Sequence, residues 1–180
     1  MHDILVHLDI RQPQAPTADY AMALAAQFGA NATVTASAVS ELPAGYMLEG
    51  GRVLIEEMQN RDRETMVDAL GRFVADARSS GVVAETVPLE GVVADLERSV
   101  AELGRHFDMS VIGQPQPGDG RMVLIESLLF GSGRPVLIVP YAFRDSHKLE
   151  TVLVAWNGGK EAARAIAGAM PILKQAKSVQ

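Results

Sequence analysis

Three places in the chain carry residue types able to hold a sugar hydroxyl or an anion. Asp9 follows the apolar run Ile4–Leu8, so its carboxylate stands where a buried strand gives way to a loop. There it can accept hydrogen bonds from a ribose hydroxyl or a base amino group, or it can simply cap the turn and the helix behind it. Gly113 follows a second apolar run, Asp108–Ile112, and a glycine at a strand end lets backbone amides come close to a phosphate. Its loop, GQPQPGDG, works against that use. Pro115 and Pro117 remove two amide donors and Asp119 adds a negative charge, which makes a poor phosphate cradle. The string FGSGRPVLIVP from Phe130 sets Gly131, Ser132 and Gly133 beside the guanidinium of Arg134, a nest suited to phosphate or carboxylate. The other reading of that string ends a helix at Gly131, turns at Ser132 and Gly133, and leads from a solvated Arg134 into a strand.

Little else has the spacing of chemistry. The four histidines, at positions 2, 7, 106 and 147, form no metal-ligand pattern with one another or with a carboxylate pair, so no metal is expected. His7 alternates with core positions and reads as a packed histidine. The absence of cysteine removes disulfides, thiolate nucleophiles and cysteine metal sites together. There is no Gly-x-Ser-x-Gly elbow, no Gly-Lys-Ser/Thr phosphate loop and no dinucleotide fingerprint, so no catalytic residue is assigned and the expectation is a protein that is not an enzyme. The carboxylates of Glu56–Asp76 lie among basic residues and read as a solvated helix face.

The elements that position these residues alternate. Ile4–Leu8 has the continuous apolar character of a strand buried on both faces. Thr17–Phe28 places Tyr20, Leu24 and Phe28 on one helical stripe, with Gly29 as a stop. Thr33–Val39 is rich in small and β-branched residues and predicts a strand, and Glu41–Arg52 predicts a long loop. A helix over Val53–Arg78, a strand over Val82–Leu89, a helix over Val92–His106 and a strand over Asp108–Ile112 follow, then a helix over Met122–Phe130 and a strand over Pro135–Val139. Strands alternating with helices imply a five-stranded parallel sheet sandwiched by helices, with ligands at the carboxyl ends of the strands.

The chain also repeats itself. Val152–Ala176, VLVAWNGGKEAARAIAGAMPILKQA, restates ILVHLDIRQPQAPTADYAMALAAQFGA from Ile4, with Asn157 in the place of Asp9. The expected layout is an α/β domain over 2–142, a linker over 143–149, and a partial βα repeat over 150–180. A unit of about 30 residues cannot bury its own apolar faces, so Leu153, Val154, Ile166 and Leu173 need a partner surface. Ser178–Gln180 reads as the start of another strand, which points to a truncated piece of a longer tandem protein.

A net charge of −6 gives no attraction to a nucleic-acid backbone or an anionic membrane, and no apolar run approaches the ~20 residues of a membrane span. With no signal-peptide pattern at the N-terminus, the expectation is a soluble cytoplasmic protein.

The strand ending in Asp9, the βα alternation, the Gly113 loop, the ending PVLIVP and the restart at Val152 together resemble the universal stress protein family, in particular its tandem members. The resemblance covers about residues 2–142, with 149–180 as the beginning of a second domain. It implies a Rossmann-like three-layer sheet, pairing of domains or of two copies through the last strand, and, in some members, ATP at the strand ends. ATP-binding members carry Gly-x2-Gly-x9-Gly-Ser/Thr after the fourth strand and an aspartate after the first. Asp9 and Gly113 match, whereas Gln116 stands where the second glycine belongs. Spacing from Gly113 puts the last pair at Glu126–Ser127, spacing from Pro135 puts it at Met122–Val123, and the matching residue types are at Gly131–Ser132. The resemblance therefore implies a stress-response or signalling module not dependent on ATP. The alternatives are an ATP-binding universal stress protein using Asp9, Gly113 and Gly131–Arg134, and a small α/β nucleotide-processing enzyme.

Overall fold

The computed structural model describes residues 1–12, 16–38, 51–91, 93–116, 122–143 and 149–180. In chain order the elements are β1 (Asp3–Leu8), α1 (Thr17–Phe28), β2 (Asn31–Ala38), α2 (Gly51–Ser79), β3 (Ala84–Glu90), α3 (Val93–Gly104), β4 (Met109–Gly113), α4 (Met122–Gly131), β5 (Val136–Val139), β6 (Thr151–Val152), α5 (Lys160–Gln175) and β7 (Ser178–Val179). The first five strands form one parallel sheet in the order β3-β2-β1-β4-β5.

β1 lies at the centre, which explains its uninterrupted apolar run: Ile4, Leu5 and Val6 face opposite sides in alternation and all are fully buried. On one face Ile4, Val6 and Val34 pack with Leu24 of α1 and with Met66 and Phe73 of α2. On the other, Ile112 packs with Val100 of α3 and with Ile125 and Leu128 of α4. His7 is buried as expected, with its Nε2 3.1 Å from the Ser37 hydroxyl on the neighbouring strand. β3 contains Pro88, tolerated because β3 is an edge strand. Gly29 ends α1 in the left-handed conformation, φ 59°, as its sequence position predicts.

Element ends differ from the sequence expectation where glycine or loop residues join helices. α2 begins at Gly51 instead of Val53, and the segment after α3 turns from Arg105 instead of continuing to His106. The predicted end of β2 at Val39, most of the predicted loop at 41–52 and the predicted helix start at Val92 lie outside the described residues.

The second unit does not stand apart. Ile172 of α5 joins the core cluster of the α1/α2 face, and Gly168 lies so close to Pro135 that a Cβ there would sit 2.5 Å from the ring Cγ. Gln27 Nε2 of α1 donates to Gln175 Oε1 of α5 at 2.5 Å. α5 is thus a third helix on that face, set over the start of β5, with β6 and β7 paired in parallel. The repeat extends to local geometry. Asp9 Oδ1 accepts the N–H of Arg11 at 3.0 Å, and Asn157 Oδ1 accepts the N–H of Gly159 at 2.9 Å, the same two-residue turn after each strand.

Candidate functional site

The strand order reverses between β1 and β4. The chain builds outward from β1 to β2 and β3, then crosses back to place β4 on the other side of β1. In open parallel sheets this reversal opens a crevice at the carboxyl ends of the strands. His7 pairs with Ile112 in register, so Asp9 and Gly113 leave the sheet side by side at that point. Both candidates therefore stand at the same end of the sheet, on neighbouring strands.

Each is already engaged. One Asp9 carboxylate oxygen holds the turn through Arg11 N–H, and the Asp9 carbonyl accepts Gln12 N–H at 3.0 Å, so the capping role is real. Gly113 is small for a reason the sequence did not suggest: a Cβ there would lie 2.6 Å from the hydroxyl oxygen of Thr17, which is buried at the first turn of α1. The glycine admits the α1 N-terminus against β4. Tyr20, one turn further along α1, packs edge-to-face on Phe143 with ring centroids 5.4 Å apart, and burial raises its hydroxyl pKa.

Gly131, Ser132, Gly133 and Arg134 do not belong to this crevice, and a single site made of all six candidate residues is corrected by the topology. α4 starts at the carboxyl edge, after β4, and its ten residues carry the chain about 15 Å back to the amino edge, where β5 begins. Ser132 lies next to Ser110, at the opposite end of β4 from Gly113: a Cβ on Gly104 would touch the Ser110 hydroxyl and the Ser132 Cβ at 3.2 Å each. The turn is also self-satisfied. Ser132 Oγ donates to the Leu128 carbonyl at 2.6 Å and accepts Arg134 N–H at 3.1 Å. Arg134 Nε donates to the Arg105 carbonyl at 3.1 Å, and Arg105 Nε donates to the Gly131 carbonyl at 3.1 Å, so the two guanidinium groups brace the C-terminal ends of α3 and α4. Nearby, Asp108 accepts the backbone N–H of His2 at 2.6 Å, which holds its carboxyl below the usual range.

The start of α4 bears on the three pairs that the sequence spacings reach. Met122 and Val123, both exposed, open the helix at the carboxyl edge. Their signal was the helical run Met122–Phe130 itself, which fixes the N-terminus by position. Among the described residues no cluster of histidine, aspartate or glutamate side chains could hold a metal ion, and no helix is long and apolar enough to cross a membrane.

A doubly wound α/β sheet with a crevice at its reversal point, edged by Asp9 and Gly113, defines a class of protein. No family model and no curated protein matches the chain. Solved structures do. The universal stress protein UspA from Lactobacillus plantarum is 16% identical at a TM-score of 0.58, covering 77% of this chain and 97% of that one. A universal stress protein in complex with cAMP is 18% identical at a TM-score of 0.54, covering 78% of this chain and 98% of its own. A universal stress protein family protein from Arabidopsis thaliana with AMP bound is 14% identical at 0.52, covering 78% and 92%. The chain has the universal stress protein fold.

Proposed function

We propose that this chain is a member of the universal stress protein family acting as a stress-response or signalling module that does not depend on ATP and has no catalytic activity of its own. One observation carries the reading. The helix that follows β4 opens on Met122–Val123, where ATP-binding members place their glycine and hydroxyl residue, while Gly131–Ser132 stand at the far edge. At that helix start a triphosphate would meet Met122 and Val123 instead of a glycine and a hydroxyl residue that bring amide donors to it. Pairing through β5, between two copies or two domains, belongs to the same reading, supported by an outer β5 edge that has no partner strand among the described residues and by the exposure of Ile138. So do a cytoplasmic location and the division into a domain over 2–142, a linker over 143–149 and the start of a second repeat over 150–180.

A second reading is favoured by the crevice itself. Asp9 keeps a carboxylate beside Gly113, and two proteins of the same fold hold cAMP and AMP, so an adenine nucleotide such as ATP could use Asp9 and Gly113 alone. Acid precipitation of the purified protein, followed by chromatography of the supernatant, separates the two. The proposed function expects no adenine nucleotide; a stoichiometric amount overturns it.

A further inference from the structure

The two faces of the sheet are not alike. On the face under α1 and α2, every buried residue of β1, β2 and β4 is apolar, from Ile4 and Val6 through Val34 to Val111. The register puts Thr35, His7 and Ile112 in one row of the opposite face, with Leu5 and Ser110 in the next row and Ser37 two residues beyond Thr35. That face lies under α3 and α4, since Ile112 packs with Val100, Ile125 and Leu128. Four of its side chains are buried and polar: His7, Thr35, Ser37 and Ser110.

His7 and Ser37 meet at 3.1 Å. Thr35 Oγ1 and Ser110 Oγ, by contrast, are buried with no hydrogen-bond partner among the described residues. A hydroxyl enclosed in this way gives up its bonds to water and gains none in return. Closing α3 and α4 over this face therefore costs free energy that closing α1 and α2 over the other does not. The two covering helices hold each other closely. A Cβ on Gly131 would lie 2.9 Å from Ala101 Cβ, and one on Gly104 would lie 3.1 Å from Leu128 Cδ2. Arg105, just after α3, donates from Nε to the Gly131 carbonyl at 3.1 Å.

We propose that α3 and α4 form one layer that opens from the sheet as a unit, at a free energy below that of global unfolding. Opening lets water reach Thr35 and Ser110, while β1, β2 and the apolar face under α1 and α2 stay folded. α4 begins at the carboxyl edge, after β4, so the same motion takes the α4 side away from the crevice between β1 and β4. The layer thus controls access to that crevice, whatever ligand the crevice takes.

Native-state hydrogen exchange of the full chain, followed by mass spectrometry through sub-denaturing urea, tests the motion. The expected result is one common opening for the amides of α3 and α4, faster than that of α1 and β1 and with a smaller urea dependence than global unfolding. Thr35→Val keeps the side-chain shape and removes the unpartnered hydroxyl, so it should slow exchange in α3 and α4 about 5–30-fold. Ser110→Ala should act in the same direction and serves in its place if Thr35→Val fails to fold. Phe73→Leu, in the core of the opposite face, should speed exchange in α1 and α2 and leave α3 and α4 unchanged. Exchange of α3 and α4 only through global unfolding overturns the proposal. So does opening of the two helices with different urea dependences, slowing by neither hydroxyl variant, or a response of α3 and α4 to Phe73→Leu equal to that of α1 and α2.

Discussion

Replacing Gly168 with alanine sets two opposed effects against each other, and the structure says which wins. Inside a helix, glycine to alanine gains about 1 kcal/mol from backbone entropy. At Gly168 the new methyl would stand 2.5 Å from Pro135 Cγ and 3.1 Å from its Cβ, and a proline ring cannot swing aside. α5 must then lift from the start of β5, an overpacking of about 1–3 kcal/mol. The net expectation is a loss of about 1 kcal/mol, or about 2–4 °C in melting temperature for a chain of this size. Gly71, in the interior of α2, is the control, because nothing lies within 4 Å of a Cβ there. Gly71→Ala should gain up to about 1 kcal/mol by the same propensity. Urea unfolding followed by circular dichroism measures both. Adding Pro135→Ala removes the ring and should return most of the loss in a double-mutant cycle. Equal stabilisation by Gly168→Ala and Gly71→Ala would refute the docking of α5 on the first domain.

Other expectations follow from single contacts. Gly113→Ala brings a methyl to 2.6 Å from the Thr17 hydroxyl and should cost about 1–2 kcal/mol, relieved when Thr17→Ala is added; denaturant midpoints check it. Ser132→Ala strands the Arg134 amide and should cost about 1 kcal/mol while leaving any nucleotide binding untouched. Asp108 has a depressed carboxyl pKa, so its contribution is present above the ordinary carboxylate range and lost as pH falls through the depressed value. Asp108→Asn should flatten that acid limb, by less than about 1 kcal/mol because the group is exposed; melting temperature from pH 7 to pH 3 tests it. Met122→Gly with Val123→Ser, which restores small residues at the α4 start, should raise ATP affinity, measured by calorimetry.

The sheet was readable because β1 is buried on both faces and says so in an unbroken run from Ile4 to Val6, and because Leu24 and Phe73 keep helical spacing around it. The placement of Asp9 and Gly113 at one edge of the sheet was readable for the same reason, since each follows an apolar strand run. Gly131–Arg134 misled because their residue types suit an anion, and residue type carries no information on which edge of the sheet a turn occupies. Position along α4 does carry it, through the rise of about 1.5 Å per residue. The role of Gly113 as the seat of Thr17 was hidden, since the two are brought together by packing and not by spacing. Docking of α5 was half legible. The need of the second unit for a partner surface followed from its size, but Pro135 and the α1 face as that surface did not.

The central claim, independence from ATP, is met most directly by calorimetric titration of ATP into the purified chain, with Asp9→Ala in parallel. The absence of the small residues at the α4 start predicts affinity no better than about 1 mM and no difference between the two proteins. Micromolar binding that disappears in Asp9→Ala would contradict it.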